Sequence, residues 1–378
     1  MRFFATCAAG TELALKAELY ELRMFRVRAD RGGVRFEGGW EQAIRACLWS
    51  RIAVRILMPV AEFDCADGDA LYEGTRSFDF SSVLSPERTL AVSSITKDSA
   101  LGHTMFIAQR TKDAIVDQLR ERFGSRPSVD KRDPDVAVFV RVAKDRATVY
   151  LDLVAEPLHR RGWRAPGAPA PLKETLAAAI VRLSGWNRKA PFTDPMCGSG
   201  TLAIEADGWA RSLAPGLSRD RFGFERWADH DAERRALCAE SREHARAEEL
   251  SEGPEIVASD VDAKAVQQTR DNARRARARL RVTQARVEDV RSTTPPGSIV
   301  SNPPYGERVE TDALLWREIF DAMFGLTPGH RVSLLLPAEA RLPVPRHAER
   351  IALFNGAIRC ELASWDVEER RRRRVVRG

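Results

Sequence analysis

Apolar and polar residues alternate over the first 165 residues in a pattern of short strands separated by amphipathic helices. The first 60 residues read as strand, helix, strand, helix, strand, and the following hundred repeat the alternation. Strands in which every second residue is apolar are typical of sheets with one solvated face. The clearest segments are the strands Arg2 to Thr6, Gly33 to Glu37, Leu90 to Ile95, Val136 to Val142 and Thr148 to Leu153, and the helices Thr11 to Glu21 and Ile107 to Phe123. We therefore predict two α+β units, over residues 1–60 and 61–165.

The second half of the chain has a different order of elements. It begins after the Pro- and Gly-rich stretch from Trp163 to Pro171, which has no periodicity and which we interpret as a linker. Helices then alternate with strands that end at Asp194, Asp260 and Ser301. This order predicts a parallel sheet with helices on both faces, whose ligands bind beyond the carboxyl ends of the strands. We therefore expect the chemistry to lie within residues 171–378.

Composition and charge fit a globular protein that contacts an anionic partner. The chain has 378 residues, 44% of them apolar and 30% charged, and Lys plus Arg (60) exceeds Asp plus Glu (54). The positive charge is concentrated in two runs, which are either solvated surface or phosphate contacts. These runs are Arg270, Arg274, Arg275, Arg277, Arg279, Arg281 and Arg286, and Arg370 to Arg374. No apolar run approaches the ~20 residues of a membrane span, and no signal-peptide pattern is present, so we expect a cytoplasmic protein.

The cysteine and histidine spacing predicts neither a metal site nor a disulfide framework. The six cysteines include no CxxC pair, and none has a histidine at ligand spacing. We therefore expect no metal.

The segment from Phe192 to Thr201 places an acidic residue at a strand end, followed by a glycine loop and a helix start. Gly198 and Gly200 allow the backbone to approach a ligand, and Asp194 can hold an ammonium group directly or through water. The spacing is not GxGxxG and the Walker lysine is absent, so S-adenosylmethionine is a better candidate than a dinucleotide or ATP.

The next strand end offers a second carboxylate. Asp260 follows Ile256-Val-Ala-Ser, and a carboxylate there suits hydrogen bonding to a ribose diol. The structural alternative is that Asp260, or Asp262 in particular, caps the following helix.

The most specific motif is Asn302-Pro303-Pro304-Tyr305 at the end of a third strand. An exocyclic base amine is a poor nucleophile, because its lone pair is delocalised into the ring. The Asn302 side-chain oxygen and the Pro303 carbonyl can accept its hydrogens and aim the lone pair at a methyl group, while the prolines hold the loop rigid. Tyr305 can stack on a base that has left its own stack. The alternative is a proline turn with a surface tyrosine.

These motifs together resemble those of the bacterial 23S rRNA guanine-N2 methyltransferases of the RlmL/YpsC class. The resemblance extends over nearly the whole chain and is weakest in the first 60 residues. It rests on the segments Pro171 to Ile180, Asp194 to Thr201, Asn302 to Gly306, Leu213 to Leu217, Phe222 to Trp227 and Leu353 to Cys360, and on His159-Arg-Arg-Gly-Trp-Arg164, which looks like the end of a THUMP domain.

The resemblance implies a ferredoxin-like domain over residues 1–60, a THUMP RNA-binding domain over 61–165 and a Rossmann-like S-adenosylmethionine-dependent domain over 171–378. The partner would be RNA, namely 23S rRNA or a large-subunit precursor, and the catalytic residues would be Asn302, Pro303, Pro304 and Tyr305. The cofactor-binding residues would be Lys173, Asp194, Pro195, Met196, Cys197, Gly198, Ser199, Gly200, Thr201, Asp260, Val261 and Asp289.

Two departures from the family pattern affect these expectations. A carboxylate often meets the adenine amine after the next strand, but Arg286 occupies that position here and Asp289 follows three residues later. The chain also ends after one methyltransferase domain, so we expect no second activity of the kind found in longer fused relatives.

Three alternatives remain open at this point. A tRNA guanine-N2 methyltransferase would share both the RNA module and the catalytic loop. A DNA amino-methyltransferase would share the loop but leave the THUMP-like half unexplained. A non-catalytic RNA-binding ribosome-assembly factor would retain the fold alone, although the intact Asp194, Asp260 and Asn302 speak against it.

Overall fold

A computed structural model describes residues 1–165, 172–304, 313–340 and 342–368. The described strands, in chain order, are β1 (Arg2–Thr6), β2 (Phe25–Asp30), β3 (Gly33–Glu37), β4 (Arg55–Asp64), β5 (Thr89–Lys97), β6 (Ser128–Val129), β7 (Val136–Ala143), β8 (Arg146–Asp152), β9 (Phe192–Asp194), β10 (Ile256–Asp260), β11 (Arg281–Gln284), β12 (Ser298–Ser301), β13 (Arg331–Pro337), β14 (Glu349–Asn355) and β15 (Ile358–Asp366). The described helices are α1 (Glu12–Glu21), α2 (Trp40–Trp49), α3 (Gly68–Arg76), α4 (Thr104–Phe123), α5 (Glu174–Leu183), α6 (Thr201–Ala210), α7 (Ala232–Ala247), α8 (Ala263–Arg275) and α9 (Ala313–Phe324).

The chain divides into two compact units. The first unit consists of Met1–Cys7, Leu15–Arg161 and Ala214–Ala247, and the second of Ala8–Ala14, Gly162–Leu213 and the residues from Glu248 onward. Residues 214–247, which include α7, therefore belong to the first unit although they lie inside the 171–378 region of the sequence. The domain bounds at residues 60, 165 and 171 stay predictions.

The first unit is built on one eight-stranded sheet in the order β2-β3-β1-β4-β8-β7-β5-β6. Most neighbours are antiparallel, but β5 runs parallel to both β6 and β7. Strand β4 pairs with β1 on one side and β8 on the other, so the sheet is continuous across residue 60. Burial alternates along β7 from Val138 to Ala143, as its pattern predicts, whereas β8 is buried continuously from Val149 to Asp152. Val138 and Val140 pair with Leu151 and Val149.

The second unit contains a seven-stranded sheet in the order β11-β10-β9-β12-β13-β15-β14. The first five strands are parallel, whereas β15 runs antiparallel to both β13 and β14. The expected parallel sheet therefore covers only part of it, because β14 and β15 form a hairpin at one edge. The hairpin turn consists of Gly356 and Ala357, and Gly356 has a positive φ of 63°.

Two apolar clusters pack within the second unit. One joins α5 and α6 to the sheet through Leu176, Ile180, Leu202 and Val300. The other joins α9 to the sheet through Trp316, Phe320, Leu334 and Trp365. Helices of this unit thus cover the sheet as the alternation of elements predicts. Among the described residues, no helix is both long and apolar enough to cross a lipid bilayer.

Candidate active site

The side chain of Asp194 lies at the carboxyl end of β9, between β10 and β12. It is 1% exposed, and its Oδ1 accepts a hydrogen bond of 2.6 Å from the hydroxyl of Ser301, the last residue of β12. Burial raises the pKa of Asp194 to about 7, and the hydrogen bond from Ser301 opposes that shift. Asp194 is thus a buried carboxyl group that titrates near neutral pH.

The glycine loop that follows Asp194 is fixed by backbone hydrogen bonds. The Cys197 N–H donates to the Ser259 carbonyl (2.9 Å), and the Gly198 N–H donates to Asp260 Oδ2 (2.9 Å). Gly198 and Gly200 have φ angles of 52° and 81°, in the left-handed region that favours glycine. A Cβ on Gly200 would lie 2.7 Å from the Thr269 side chain, whereas one on Gly198 would meet no atom within 4 Å. The loop therefore packs closely on one side and leaves open space beside Gly198.

Helix α8 holds the loop through two buried polar side chains. The Thr269 hydroxyl donates to the Gly198 carbonyl (2.8 Å), and the Asn272 amide donates to the Ser199 carbonyl (2.9 Å). Both side chains are 1% exposed or less. Asp262 caps this helix, since its carboxylate accepts from the Lys264 N–H. The structural alternative raised for Asp262 is therefore what the structure shows.

Arg164 joins the glycine loop to the start of α5 through four hydrogen bonds. Its guanidinium donates to Glu174 Oε1 (2.6 Å), Ser199 Oγ (3.1 Å), Thr201 Oγ1 (2.6 Å) and the Leu172 carbonyl (2.9 Å). The side chains of Arg164 and Glu174 are 12% and 5% exposed. Sequence analysis did not single out this role, because the partners are 8 to 37 residues away and no local pattern joins them.

Asp260 lies at the end of β10 and is partly exposed. Its Oδ2 accepts from Gly198 and its Oδ1 accepts from the Asp262 N–H (3.0 Å). A carboxylate has about four acceptor positions, so both oxygens can still accept a further hydrogen bond. Val261 follows with 63% exposure, which leaves an apolar side chain open next to this carboxylate.

The other predicted cofactor-binding residues lie at varied depths. Pro195, Cys197 and Ser199 are buried, and Met196 is half-buried. Burial raises the pKa of the Cys197 thiol well above its usual range, so this side chain remains a protonated packing group. Lys173 is exposed at the amino terminus of α5.

The two candidates for an adenine contact both follow β11. Asp289 is exposed, and its carboxylate accepts from the Arg286 N–H (3.2 Å). The Arg286 guanidinium pairs with Glu288 (2.7 Å) and lies 3.8 Å from Glu318. The Arg286 guanidinium is therefore already engaged in ion pairs with neighbouring glutamates.

Asn302 follows β12 directly, one residue after the Ser301 that contacts Asp194. Its side-chain oxygen Oδ1 is buried and has no hydrogen-bond partner among the described residues. Such orphaned acceptors are rare and call for an explanation, since burial without a partner is costly. Pro303 is buried and Pro304 exposed, whereas Tyr305 lies outside the described residues.

Most of the clustered arginines around α8 contact nearby groups. Arg274, Arg277 and Arg281 form ion pairs with Asp271, Glu249 and Glu255. Arg275 donates to the Trp163 carbonyl (2.6 Å), and Arg270 donates to the Val282 carbonyl (3.0 Å). These contacts favour the structural interpretation of that run. Arg370 to Arg374 lie outside the described residues.

One group of potential metal ligands occurs in the first unit. Glu225, His230 and Cys238 each place a ligand atom within 4.8 Å of the other two. The Glu225 carboxylate already accepts from Arg242 (2.9 Å) and from the Phe222 N–H (2.8 Å). Its charge is therefore balanced by an arginine.

Three family models match the chain in order. They are the RlmL ferredoxin-like domain over residues 2–57, the THUMP domain over 65–152 and the RMKL-like methyltransferase domain over 161–328. The predicted fold class, an α/β methyltransferase domain preceded by ferredoxin-like and THUMP regions, is thereby confirmed.

Two bacterial ribosomal RNA methyltransferases are similar to the chain over nearly its whole length. The chain is 40% identical to the ribosomal RNA large subunit methyltransferase K/L of Syntrophotalea carbinolica and 42% identical to that of Methylococcus capsulatus, in each case over 98% of this chain. It covers 54% and 52% of those proteins, so it spans about half the length of the curated relatives it matches.

A solved structure matches the chain from end to end. The crystal structure of SMU.472 complexed with SAH is 30% identical, with a TM-score of 0.84 and 98% of both chains covered. Identity at this level over both full lengths establishes common family membership. The chain therefore belongs to the family of RMKL-like methyltransferases that carry RlmL ferredoxin-like and THUMP domains.

Proposed function

We propose that the protein methylates the exocyclic N2 amine of a guanine in 23S rRNA, with S-adenosylmethionine as the methyl donor. The observation that carries this proposal is the buried, unpartnered Oδ1 of Asn302. It lies one residue from Ser301, whose hydroxyl contacts Asp194 at the head of the glycine loop. An acceptor is thus held beside the candidate cofactor-binding residues.

The named relatives support the substrate class. Two relatives of about 40% identity are named for methylation of large-subunit ribosomal RNA, and the matched solved structure contains SAH, the demethylated form of the donor. The choice of guanine N2 rests on the Asn302 loop and on the resemblance described from the sequence.

The residues at the ends of β9 and β10 fit S-adenosylmethionine. Asp194 and Asp260 provide carboxylates for its ammonium and ribose groups, and the open space beside Gly198 admits a ligand against the backbone. The donor supplies a methyl group bound to a positively charged sulfur. The positive charge of the sulfur is attracted by the negative charge of Asp194 and Asp260, whose carboxyl groups lie close enough to each other to interact.

The reaction that this site supports is direct in-line transfer. Asn302 Oδ1 and the Pro303 carbonyl would accept the two hydrogens of the amine and turn its lone pair toward the methyl carbon. The nitrogen–carbon bond forms as the carbon–sulfur bond breaks, so that positive charge moves from sulfur to nitrogen. The nitrogen then loses a proton to solvent. Oδ1 stabilises the charge that develops on the amine, because it is already oriented and buried.

The testing experiment measures tritium transfer from labelled S-adenosylmethionine to total RNA of cells that lack this protein. We expect label in 23S rRNA, recovered as N2-methylguanosine. The Asn302→Ala variant should lose about 10²- to 10³-fold in turnover, as is typical when one preorganised polar group is removed from a reaction centre. Asn302→Asp is the matched control, since it keeps the shape and an acceptor oxygen and should retain more activity.

Calorimetry of S-adenosylmethionine binding separates the outcomes. Asn302→Ala should bind the donor as the unaltered protein does, because Asn302 is assigned to the base. Full turnover by Asn302→Ala would overturn its role. Label in tRNA would favour a tRNA methyltransferase, and absence of donor binding would favour a non-catalytic assembly factor.

A further inference from the structure

A cavity of about 250 Å³ opens on the first-unit sheet, and none of the candidate cofactor-binding residues lines it. Its lining includes Phe4, Tyr150, Arg2, Arg26, Arg28 and Arg35. Phe4 and Arg35 are direct cross-strand partners on β1 and β3. Cross-strand partners lie on one face of a sheet, so the ring and the guanidinium belong to the same surface.

Aromatic side chains form the floor of this surface. The ring centroids of Phe4 and Tyr150 are 6.3 Å apart, and those of Tyr150 and Phe139 are 6.2 Å apart. Phe139 and Tyr150 are partners across β7 and β8, on the side opposite the buried Val138 and Val140. Pro59 of β4 pairs with Tyr150 and also lines the cavity. The result is a row of three rings across the sheet, in which Phe4 and Phe139 are half-buried and the central Tyr150 is buried and supports them.

Positive charge surrounds the rings. The cavity lining contains four arginines and two glutamates, Glu37 and Glu62. Arg26 lies 3.4 Å from Glu37, and Arg35 lies 2.8 Å from Asp30. Arg2 and Arg28 are exposed and form no ion pair within the described part of the chain. Two cations are therefore available to an anionic ligand.

The edge strand β2 is distorted where it meets the cavity. The β2–β3 register shifts between Phe25 and Arg28, and Arg26 has a φ of 47°. A positive φ is costly for a side chain such as arginine, and bulges re-aim the side chains around them. Arg26 and Arg28, which flank this irregularity, both line the cavity.

We propose that this face binds a single-stranded segment of the RNA substrate, a statement that rests on the proposed function. The half-buried ring of Phe4 would stack against a base, and Arg2 and Arg28 would contact the flanking phosphates. Single-stranded RNA is favoured over an acidic peptide because both the rings and the guanidinium planes can stack on bases, whereas a peptide carboxylate would use the arginines alone.

The test uses the full chain and a fluorescein-labelled single-stranded RNA of about twelve nucleotides, within the usual site size of such surfaces. Fluorescence anisotropy gives the affinity at several salt concentrations. Arg2→Ala/Arg28→Ala should weaken binding about tenfold or more, and should reduce the slope of log affinity against log salt by about 1.4, or about 0.7 per lost phosphate contact. Phe4→Leu should weaken binding about fivefold or more while leaving that slope unchanged.

Arg132→Ala is the matched control, since Arg132 is exposed in the first unit but does not line the cavity. It should bind nearly as the unaltered chain does. Equal affinities for all these variants would overturn the proposal, as would competition by a duplex of the same sequence as strong as that by the single strand. Binding of a poly-glutamate peptide in place of RNA would assign the surface to a protein partner.

Donor binding and methyl transfer distinguish this proposal from the proposed function. The cavity variants should bind S-adenosylmethionine unchanged. If the unaltered chain transfers no methyl group to RNA while the cavity variants still lose RNA binding, the proposed function fails and the surface stands. If transfer occurs and the cavity variants transfer as well as Arg132→Ala at limiting RNA, the surface fails alone.

Discussion

At the scale of a single residue, two effects act in opposite directions on the pKa of Asp194. Its carboxyl group is 1% exposed, which favours the neutral form, while the Ser301 hydroxyl donates to it and favours the charged form. Burial dominates, and the pKa rises to about 7. The proposed ammonium partner requires the charged form, so donor binding must be linked to the loss of a proton.

This linkage predicts a pH-dependent donor affinity. The affinity for S-adenosylmethionine, measured by calorimetry, should rise by up to about tenfold per unit between about pH 5.5 and about pH 7, and level off above. The measurements should stop at about pH 7.5, because above it the amino group of the donor loses its own proton and the ammonium group is no longer present. In Asp194→Asn the affinity should be weak and flat. In Ser301→Ala the midpoint should move to higher pH, since the hydrogen bond that stabilises the carboxylate is lost.

The same pKa has a consequence of opposite sign for the stability of the donor-free protein. Because the folded pKa lies above the ordinary 3.8, the folded chain holds a proton that the unfolded chain releases. The stability that this group contributes is therefore full below about pH 4 and is lost as the pH rises toward 7.

A donor affinity that does not change between about pH 5.5 and about pH 7 would show that Asp194 is not the ammonium partner.

Sequence predicts the residues whose roles follow from a local motif. The motifs predict Asp194, Asp260 and Asn302 at strand ends. In the structure Asp194 and Asp260 are the last residues of β9 and β10, and Asn302 directly follows β12. Their assignment to donor and base stays a prediction. Thr269 and Asn272 escaped prediction because a polar residue on a helix carries no sign of which loop it will contact.

At the scale of elements, one irregular segment of the second unit holds two helix starts together. Arg164 lies in irregular chain, yet it contacts the start of α5 through Glu174 and the start of α6 through Thr201. Its ion pair with Glu174 is nearly buried. Such a pair costs much when only one member is removed, because the remaining charge has no partner.

We predict that Arg164→Ala lowers the free energy of unfolding by about 3–5 kcal/mol and weakens donor binding by disordering the glycine loop. Urea denaturation and calorimetry measure the two effects. Arg160→Ala is the matched control, four residues earlier, because its pair with Glu156 is exposed and contributes less than about 1 kcal/mol. Equal losses in the two variants would show that Arg164 contributes only surface charge. Arg164→Lys should recover part of the stability but not all four hydrogen bonds.

Two elements that sequence reasoning missed bury little of their surface. Strand β2 alternates apolar and polar residues in sequence, yet it buries only Val27, and its pairing with β3 shifts register between Phe25 and Arg28. Helix α7 buries only Cys238 and Ala245 over 16 residues, so it has no apolar stripe. Strands β7 and β8 were predictable because branched or aliphatic side chains recur at every second position, at Val138, Val140 and Val142 in β7 and at Val149 and Leu151 in β8.

At the scale of the whole molecule, chain order and spatial grouping differ. Residues 214–247 leave the second unit and pack within the first. The ring centroids of Phe224 and Trp227 lie 5.3 and 6.1 Å from that of Trp40 in α2. Gly216 packs against the backbone of Cys47 and Leu48, and a Cβ added to it would lie 2.7 Å from atoms of both residues. We call residues 214–247 the excursion. The chain segments on either side of it lie next to each other, because the Leu250 N–H donates to the Arg211 carbonyl at 2.9 Å.

The geometry of the excursion predicts how residues 162–378, which lack Ala8–Ala14 of the second unit, behave without the rest of the chain. A fragment of residues 162–378 would carry Phe222, Phe224 and Trp227, each 1% exposed or less in the full chain, without the α2 surface that helps to cover them. We expect this fragment to self-associate and to bind a hydrophobic dye, because large exposed apolar patches drive association. Replacing residues 214–247 with a Gly/Ser linker of about four residues, long enough to join adjacent backbone ends, should give a monomer that still binds S-adenosylmethionine. Size-exclusion chromatography and calorimetry compare the two fragments. Equal behaviour as monomers would show that the excursion does not depend on the first unit. Failure of both fragments to bind the donor would show that residues 162–378 do not fold without residues 1–161.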